Sequence, residues 1–400
     1  MANATIAEAS PSAAPRGLYI HIPFCVRKCP YCDFFSTTDI SLKNRFLNAL
    51  QQEMAQAAAA APPVDTVYIG GGTPSLLTAD ETTRMFTAMR RCFDIADTAE
   101  ITIEVNPGTI DTAFLTACRR NGVNRINIGV QSFVPARLSF LERIHSAADA
   151  VNAILCSRKA GFERIGLDLI YGTPDQTAAG WRRELATALS YEPAHLSCYL
   201  LSYEKNTPFA KRSAEGTIAP LCEDTAAKLF DVTHSVLTQA NYLHYEISNF
   251  ARRCSASSIS EKGVDNRSRH NCKYWSFTPY IGLGPAAHSF AAPVRWWNVP
   301  NIKRYIERLE KGRPPLQQRE RLTQQQRMME AVYLGLRQHT GIDTTAFTQR
   351  FAVDFRVLFG PAVDELMAQG FLTMSAGCCA LTPQGMRFLD AVAGRLVAEL

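Results

Sequence analysis

The chain reads as an α/β protein: a partial (β/α)6 barrel, open rather than closed, followed by a C-terminal α+β module of winged-helix-like type. Two observations predict this. Six short runs rich in β-branched or aromatic residues, Leu18–Ile22, Thr66–Ile69, Ile101–Val105, Arg125–Val130, Ile165–Ile170 and His195–Leu200, alternate with segments of helical composition. Those segments are Leu42–Ala60, Ala79–Cys92, Thr112–Asn121, Ala147–Gly161 and Trp181–Ser190. Repeated strand then helix implies parallel strands with right-handed crossovers. Six units fall short of a closed barrel of eight, and in such folds the residues just after each strand line the site. The second observation is the change after Pro220. A helix, Cys222–Gln239, leads into a loop-rich stretch in which 251–268 is polar and reads as an exposed loop. From Arg321 a compact tail follows, with helices at Met328–Arg337 and Val363–Gln369, short apolar runs Phe371–Met374 and Cys379–Leu381, and a last helix from Pro383. The expected divisions are a disordered tail over 1–16, the barrel over 17–220, a connecting region over 221–320 and the C-terminal module over 321–400.

Composition bounds the function classes. With 400 residues, 46% hydrophobic and 20% charged, the chain has the make-up of a globular protein with a sizeable core. No apolar run reaches the ~18 residues that a membrane helix needs. The first sixteen residues carry one basic residue and no apolar signal core, which argues against export. A cytoplasmic location is expected. Net charge is +5, from 42 basic and 37 acidic residues without a Lys/Arg block, so no nucleic acid partner is expected. Twelve cysteines are scattered, and Cys92, Cys118, Cys156, Cys198 and Cys222 stand singly as small hydrophobes.

Three cysteines are different. Cys25, Cys29 and Cys32 fall in one tight loop directly after the first strand, in LYIHIPFCVRKCPYC. Soft thiolates suit iron-sulfur clusters and zinc. Structural zinc takes four closed ligands, and no fourth Cys or His follows at finger spacing. On a four-iron cube, three thiolates leave one iron open to an exchangeable ligand. A zinc site, or a disulfide pair with a bystander, is the alternative reading of the spacing alone.

The strand ends carry further candidates. Gly70-Gly71-Gly72-Thr73-Pro74 follows the second strand; its glycines let backbone approach a ligand, and without a following Lys-Ser/Thr it is no P-loop. It reads equally as a tight turn. Glu104 ends the third strand between apolar neighbours, where a carboxylate is costly to bury without a partner. Gln131, Arg143 and Asp168 stand at or near the next strand ends. For each, the alternative is a cap or an internal ion pair, such as Arg143 with Asp168.

The strings LYIHIPFCVRKCPYC, YIGGGTPS, IEVNPG, GVQSF and LDLIYGTP, in this order, resemble the family of oxygen-independent coproporphyrinogen III oxidase and its heme-chaperone relatives, within the radical S-adenosylmethionine (SAM) enzymes. The likeness runs from Leu18 to the C-terminus. It implies a radical-SAM partial barrel, a [4Fe-4S] cluster on Cys25, Cys29 and Cys32, and SAM contacts from Tyr19, Gly71, Gly72, Thr73, Glu104, Gln131, Arg143 and Asp168, with Tyr31 against the adenine. An electron donor to the cluster is implied as well.

Two departures favour the chaperone branch over the oxidase. The oxidase carries a fourth cysteine two residues after the third, where this chain has Asp33-Phe34, and a longer N-terminal segment, where this chain has some seventeen residues. His270-Asn271-Cys272-Lys273-Tyr274-Trp275 resembles the chaperones' HNxxYW motif. It implies heme as a ligand, with His270 as candidate axial ligand, Cys272 as the alternative and an anchoring role as the competing reading. His288 reads as structural. The loop before His270 gains about a dozen polar residues, Cys254 among them. The expected partners are heme and a heme-accepting protein, with peripheral membrane contact compatible and no membrane span. Anaerobic oxidative decarboxylation of coproporphyrinogen III is the alternative function, and RNA modification a more distant one.

Overall fold

The computed structural model describes residues 15–58, 63–253 and 265–400. The expected tail, apart from its last two residues, and Cys254 lie outside the described residues.

All six expected strands form: β1 (Arg16–Ile22), β2 (Val64–Gly71), β3 (Ile95–Val105), β4 (Arg125–Gln131), β5 (Arg164–Tyr171) and β6 (His195–Leu200). They pair in sequence order, all parallel. The intervening helices begin where side chains satisfy the free backbone N–H groups. Thr78 with Glu81, and Ser146 with Asp149, make capping boxes, and Asp111 and Thr177 cap the helices they precede.

Strand periodicity explains the interior. One parity of each strand is apolar and buried under the helices: Leu18, Ile20 and Ile22; Val67 and Ile69; Ile101 and Ile103; Ile126 and Ile128; Ile165 and Leu167; Leu196 and Cys198. Each such aliphatic side chain contributes on the order of 1.5–3 kcal/mol. The opposite parity faces inward and is polar: Tyr19 and His21, Thr66 and Tyr68, Glu100 and Glu104, Arg125 and Asn127, Asp168, His195 and Ser197. A closed barrel of this kind fills its interior with branched aliphatics. This one fills it with hydrogen-bonding groups.

The stretch expected to be loop-rich supplies both flanks of the sheet. β8 (Asn249–Arg252) adds antiparallel to β6 and β7 (Tyr242–His244) antiparallel to β8, while β9 (Tyr280–Leu283) pairs parallel to β1 and leads through β10 (His288–Ala291), β11 (Val294–Asn298) and β12 (Leu316–Arg321) to the other edge. The result is a twelve-stranded sheet. Buried Glu53 ties the first helix to this flank, accepting from Gly284 N (2.8 Å) and Tyr305 Oη (2.6 Å), and burial pushes its carboxyl up to about 7.

In the C-terminal module, helices Gln324–Arg337, Thr344–Phe351, Phe355–Ala368 and Leu389–Val397 enclose a core of their own around Phe355, Phe359 and Leu366. Leu372–Ser375 and Cys378–Leu381 form the expected hairpin. The helix Phe355–Ala368 starts eight residues before the expected one because Pro361 lies inside it, where the sequence reads as a break. No helix among the described residues is long and apolar enough to cross a membrane.

Candidate cofactor site

The cysteine loop is pinned at both ends. Cys25 N donates to Thr37 O (2.9 Å), Thr37 N to Pro23 O (2.7 Å) and Cys32 N to Cys29 O (3.1 Å), while the His21 ring holds Phe35 O at 2.8 Å. Beneath it Phe24 is fully buried, edge-on to Phe46. The three thiols stay half-exposed and free. Burial raises Cys32, and Cys29 and Cys25 beside it add to the rise, as expected of sulfurs facing one another. Among the described residues no His, Cys, Asp or Glu group closes a single-ion shell.

Arg143, half-buried, reaches the same spot. Its Nη1 donates to Cys29 Sγ (3.3 Å) and Tyr31 Oη (3.4 Å), and its Nη2 to Asn106 Oδ1 (2.7 Å) and Gly129 O (3.2 Å). None of its three guanidinium nitrogens bonds Asp168. Thr73 Oγ1 donates to Cys25 Sγ at 3.6 Å and accepts from Asn106 Nδ2 at 2.8 Å. Asn106 thus links the cation to the glycine loop.

These groups wall a cavity of about 580 Å³ at the C-terminal ends of the strands. Its glycines are required by close approach. A Cβ on Gly72 would stand 2.7 Å from Phe24 O, and one on Gly71, whose φ is +105°, would stand 2.6 Å from the His21 ring. Gln131 ends β4 at φ 62°, a left-handed conformation that costs a non-glycine residue on the order of 1 kcal/mol or more.

Two carboxyls face inward. Glu104 accepts from Tyr68 Oη (2.7 Å) and Gly71 N (3.3 Å), and burial pushes it up to about 7, with Asp168 nearby adding to the rise. Asp168 accepts from Asn127 Nδ2 at 2.7 Å, its Oδ1 is buried without a hydrogen-bond partner, and burial raises it too. A cradle trimmed of side chains, an orphaned carboxylate oxygen and an unpaired Arg143 Nε fit a ligand bearing hydroxyls, an ammonium and a carboxylate. SAM is such a ligand.

Of the expected site residues, Cys25, Cys29, Cys32, Tyr31, Gly71, Gly72, Thr73, Glu104, Gln131, Arg143 and Asp168 all line this cavity. Tyr19 lies deeper, its hydroxyl on His21 Nδ1 at 2.9 Å. Asn106 and Tyr68 were not anticipated. The polar tyrosine between Val67 and Ile69, at alternate positions of one strand, was the available signal for the second.

His270 is elsewhere. It lies on a short helix, Arg269–Trp275, that closes the opposite, N-terminal end of the barrel. The ring is 0% exposed. One nitrogen meets Thr66 Oγ1 at 2.9 Å and the other meets Tyr274 Oη at 2.9 Å, while its face lies 5.4 Å from Tyr68. Burial, with Lys273 assisting, pushes the imidazole down to about 3. Its backbone N–H donates to buried Glu100, and Arg269 and Lys273 both pair with Asp65. Ligation of iron by His270 would require one of these two ring contacts to break and the buried ring to become accessible. Burial also pushes Cys272 up to about 12, away from thiolate. His288 stacks on Trp297 at 5.4 Å.

The fold and the cavity define a radical SAM protein: residues 19–186 match the Radical SAM superfamily, and residues 322–388 the HemN C-terminal domain. Relatives named heme chaperone HemW run the length of the chain. Those of Bacillus subtilis (31% identical, 96% of this chain and 100% of that one), Mycobacterium tuberculosis (33%, 96% and 95%) and Escherichia coli (35%, 96% and 99%) are examples. The chain belongs to the HemW heme chaperone family. In overall fold it also resembles coproporphyrinogen III oxidase (HemN) from E. coli, with TM-score 0.81 and 24% identity over 96% of this chain and 91% of that one.

Proposed function

We propose that this protein binds heme, together with a [4Fe-4S] cluster and SAM, and transfers the heme to an acceptor protein. Cys25, Cys29 and Cys32 would hold the cluster, and the cavity beside them would hold SAM, with Arg143 and Asn106 fixing the region next to the sulfurs, Glu104 and Asp168 taking its hydroxyl and ammonium donors, and Tyr31 beside the adenine. When bound, a reduced cluster supplies an electron to SAM, delivered by an external donor. The protein's part is to orient the ligands, exclude water and keep one iron free of side chains.

The observation that carries the chaperone reading over the oxidase is the site itself: Asp33-Phe34 stand where the oxidase has a fourth cysteine, and the relatives similar along the whole chain carry the chaperone name. The HNxxYW segment supports the fold in this reading, with His270 anchoring the barrel floor. Anaerobically reconstituted protein should take up hemin in an absorbance titration and restore a heme-depleted acceptor. Formation of protoporphyrinogen from coproporphyrinogen III with SAM and reductant would overturn the reading.

A further inference from the structure

Exposed apolar side chains are unevenly spread on this molecule. Among the described residues, eleven large hydrophobics are exposed, and five of them border the one cofactor cavity: Val26 (56%), Phe34 (67%), Ile144 (49%), Tyr199 (40%) and Leu200 (46%). They come from three separate segments: the cysteine loop, the turn after Arg143 and the end of β6. Single exposed hydrophobics are ordinary; a ring of them around a cavity mouth marks a binding surface.

The ring has a charged side. Arg27 and Lys28 follow Val26 on the cavity lining. Arg27 pairs with Glu142, and Glu142 also pairs with Arg212 at 2.8 Å, so one carboxylate serves two guanidiniums. Asp33 and Glu204 line the cavity as well. The mouth therefore suits a broad apolar ligand with anionic groups at one edge, and it continues directly into the cofactor cavity. At the other end of the barrel, by contrast, the HNxxYW helix fills the opening and both ring nitrogens of His270 are bonded.

Resting on the proposed heme-chaperone reading, we infer that the heme seat is the cavity mouth, with the macrocycle against Phe34, Leu200 and Ile144 and its propionates toward Arg27 and Lys28. The exposed Tyr199 ring offers a further face. Such a seat holds heme by its faces and its carboxylates. A cargo that must be handed on is better held in this way than by a strong iron ligand.

The test is a hemin titration of the full-length, anaerobically reconstituted protein against two separate variants, Phe34→Glu and Leu200→Glu, and against His270→Ala. Iron and sulfide content and SAM affinity are measured in parallel. The seat predicts that each rim variant weakens hemin binding about tenfold or more while retaining cluster, and that His270→Ala binds hemin within about threefold of wild type. Rim variants that titrate like wild type, or that bind hemin normally and lose only transfer to the acceptor, would overturn the placement. So would loss of hemin in a folded, cluster-bearing His270→Ala. Failure of the wild type to bind hemin at all would instead reject the chaperone reading.

Discussion

The two ends of the barrel are built from the same six strands and the same alternation, yet they are finished in opposite ways. At the floor most polar side chains meet other protein groups, although Glu100 Oε2, Arg125 Nη2 and His195 Nδ1 stay buried without a hydrogen-bond partner. His270 bonds Thr66 and Tyr274, Glu100 accepts the His270 N–H, Arg125 donates to Asn266 O at 2.9 Å, and His195 meets Tyr245 at 2.8 Å. At the mouth, Asp168 keeps an unpartnered buried oxygen, Arg143 an unpartnered Nε, and Gln131 a left-handed backbone. Unpartnered buried atoms occur at both ends; those at the mouth differ in lining an open cavity of about 580 Å³, where a ligand can complete them. Motif resemblance assigned ligands to both ends; the geometry favours one.

Substitutions should separate the ends. The largest effect is expected at the sulfurs: Cys29→Ala should abolish iron and sulfide retention after reconstitution, with the fold preserved by circular dichroism. Next, Arg143→Ala should weaken SAM binding by about 10- to 100-fold in equilibrium dialysis, the loss expected when charged hydrogen bonds of about 1.5–3 kcal/mol are removed. At the floor the order of effects should reverse. His270→Ala leaves Thr66 and Tyr274 facing a void, at about 1–3 kcal/mol for each stranded group, so denaturant unfolding should show clear destabilisation with little change in SAM affinity. A large SAM defect in that variant would erase the distinction between the ends.

A smaller effect sharpens the comparison by pH. The Glu104 carboxyl is raised from 4.5 to about 7, burial being the main cause. A raised acid favours folding below its unfolded value, and that stabilisation is lost as pH climbs through the folded value. Ligand-free protein should therefore lose thermal stability between about pH 4.5 and 7, with Glu53 acting in the same direction. SAM donors favour the ionised carboxylate, so SAM should protect increasingly as pH passes 7. Replacing Glu104 by Gln should flatten the SAM-dependent part and leave the part due to Glu53.

Much of this was legible in the residues. The six parallel strands followed from β-branched runs between helical segments, and the lining from polar residues at strand ends; both are local patterns. The flanking strands β7–β12 were not legible, because each has three to six residues and is held by pairing that no local pattern announces. Asn106 was not singled out, since its role depends on Arg143, 37 positions along the chain. The HNxxYW segment shows the limit of a motif: its residue types suit heme, but whether a histidine is free depends on Thr66, which lies 204 positions away in sequence. The extended helix across Pro361 was decided by tertiary packing, against a local signal.

The central claim is that three thiolates at the mouth hold a cube whose remaining iron is open to SAM. Electron paramagnetic resonance of the reduced, anaerobically reconstituted protein, with and without SAM, tests it most directly. The account predicts a [4Fe-4S]+ signal that changes shape when SAM is added and disappears in the triple variant Cys25→Ala, Cys29→Ala, Cys32→Ala. A signal indifferent to SAM, or one that survives loss of all three thiols, would contradict it.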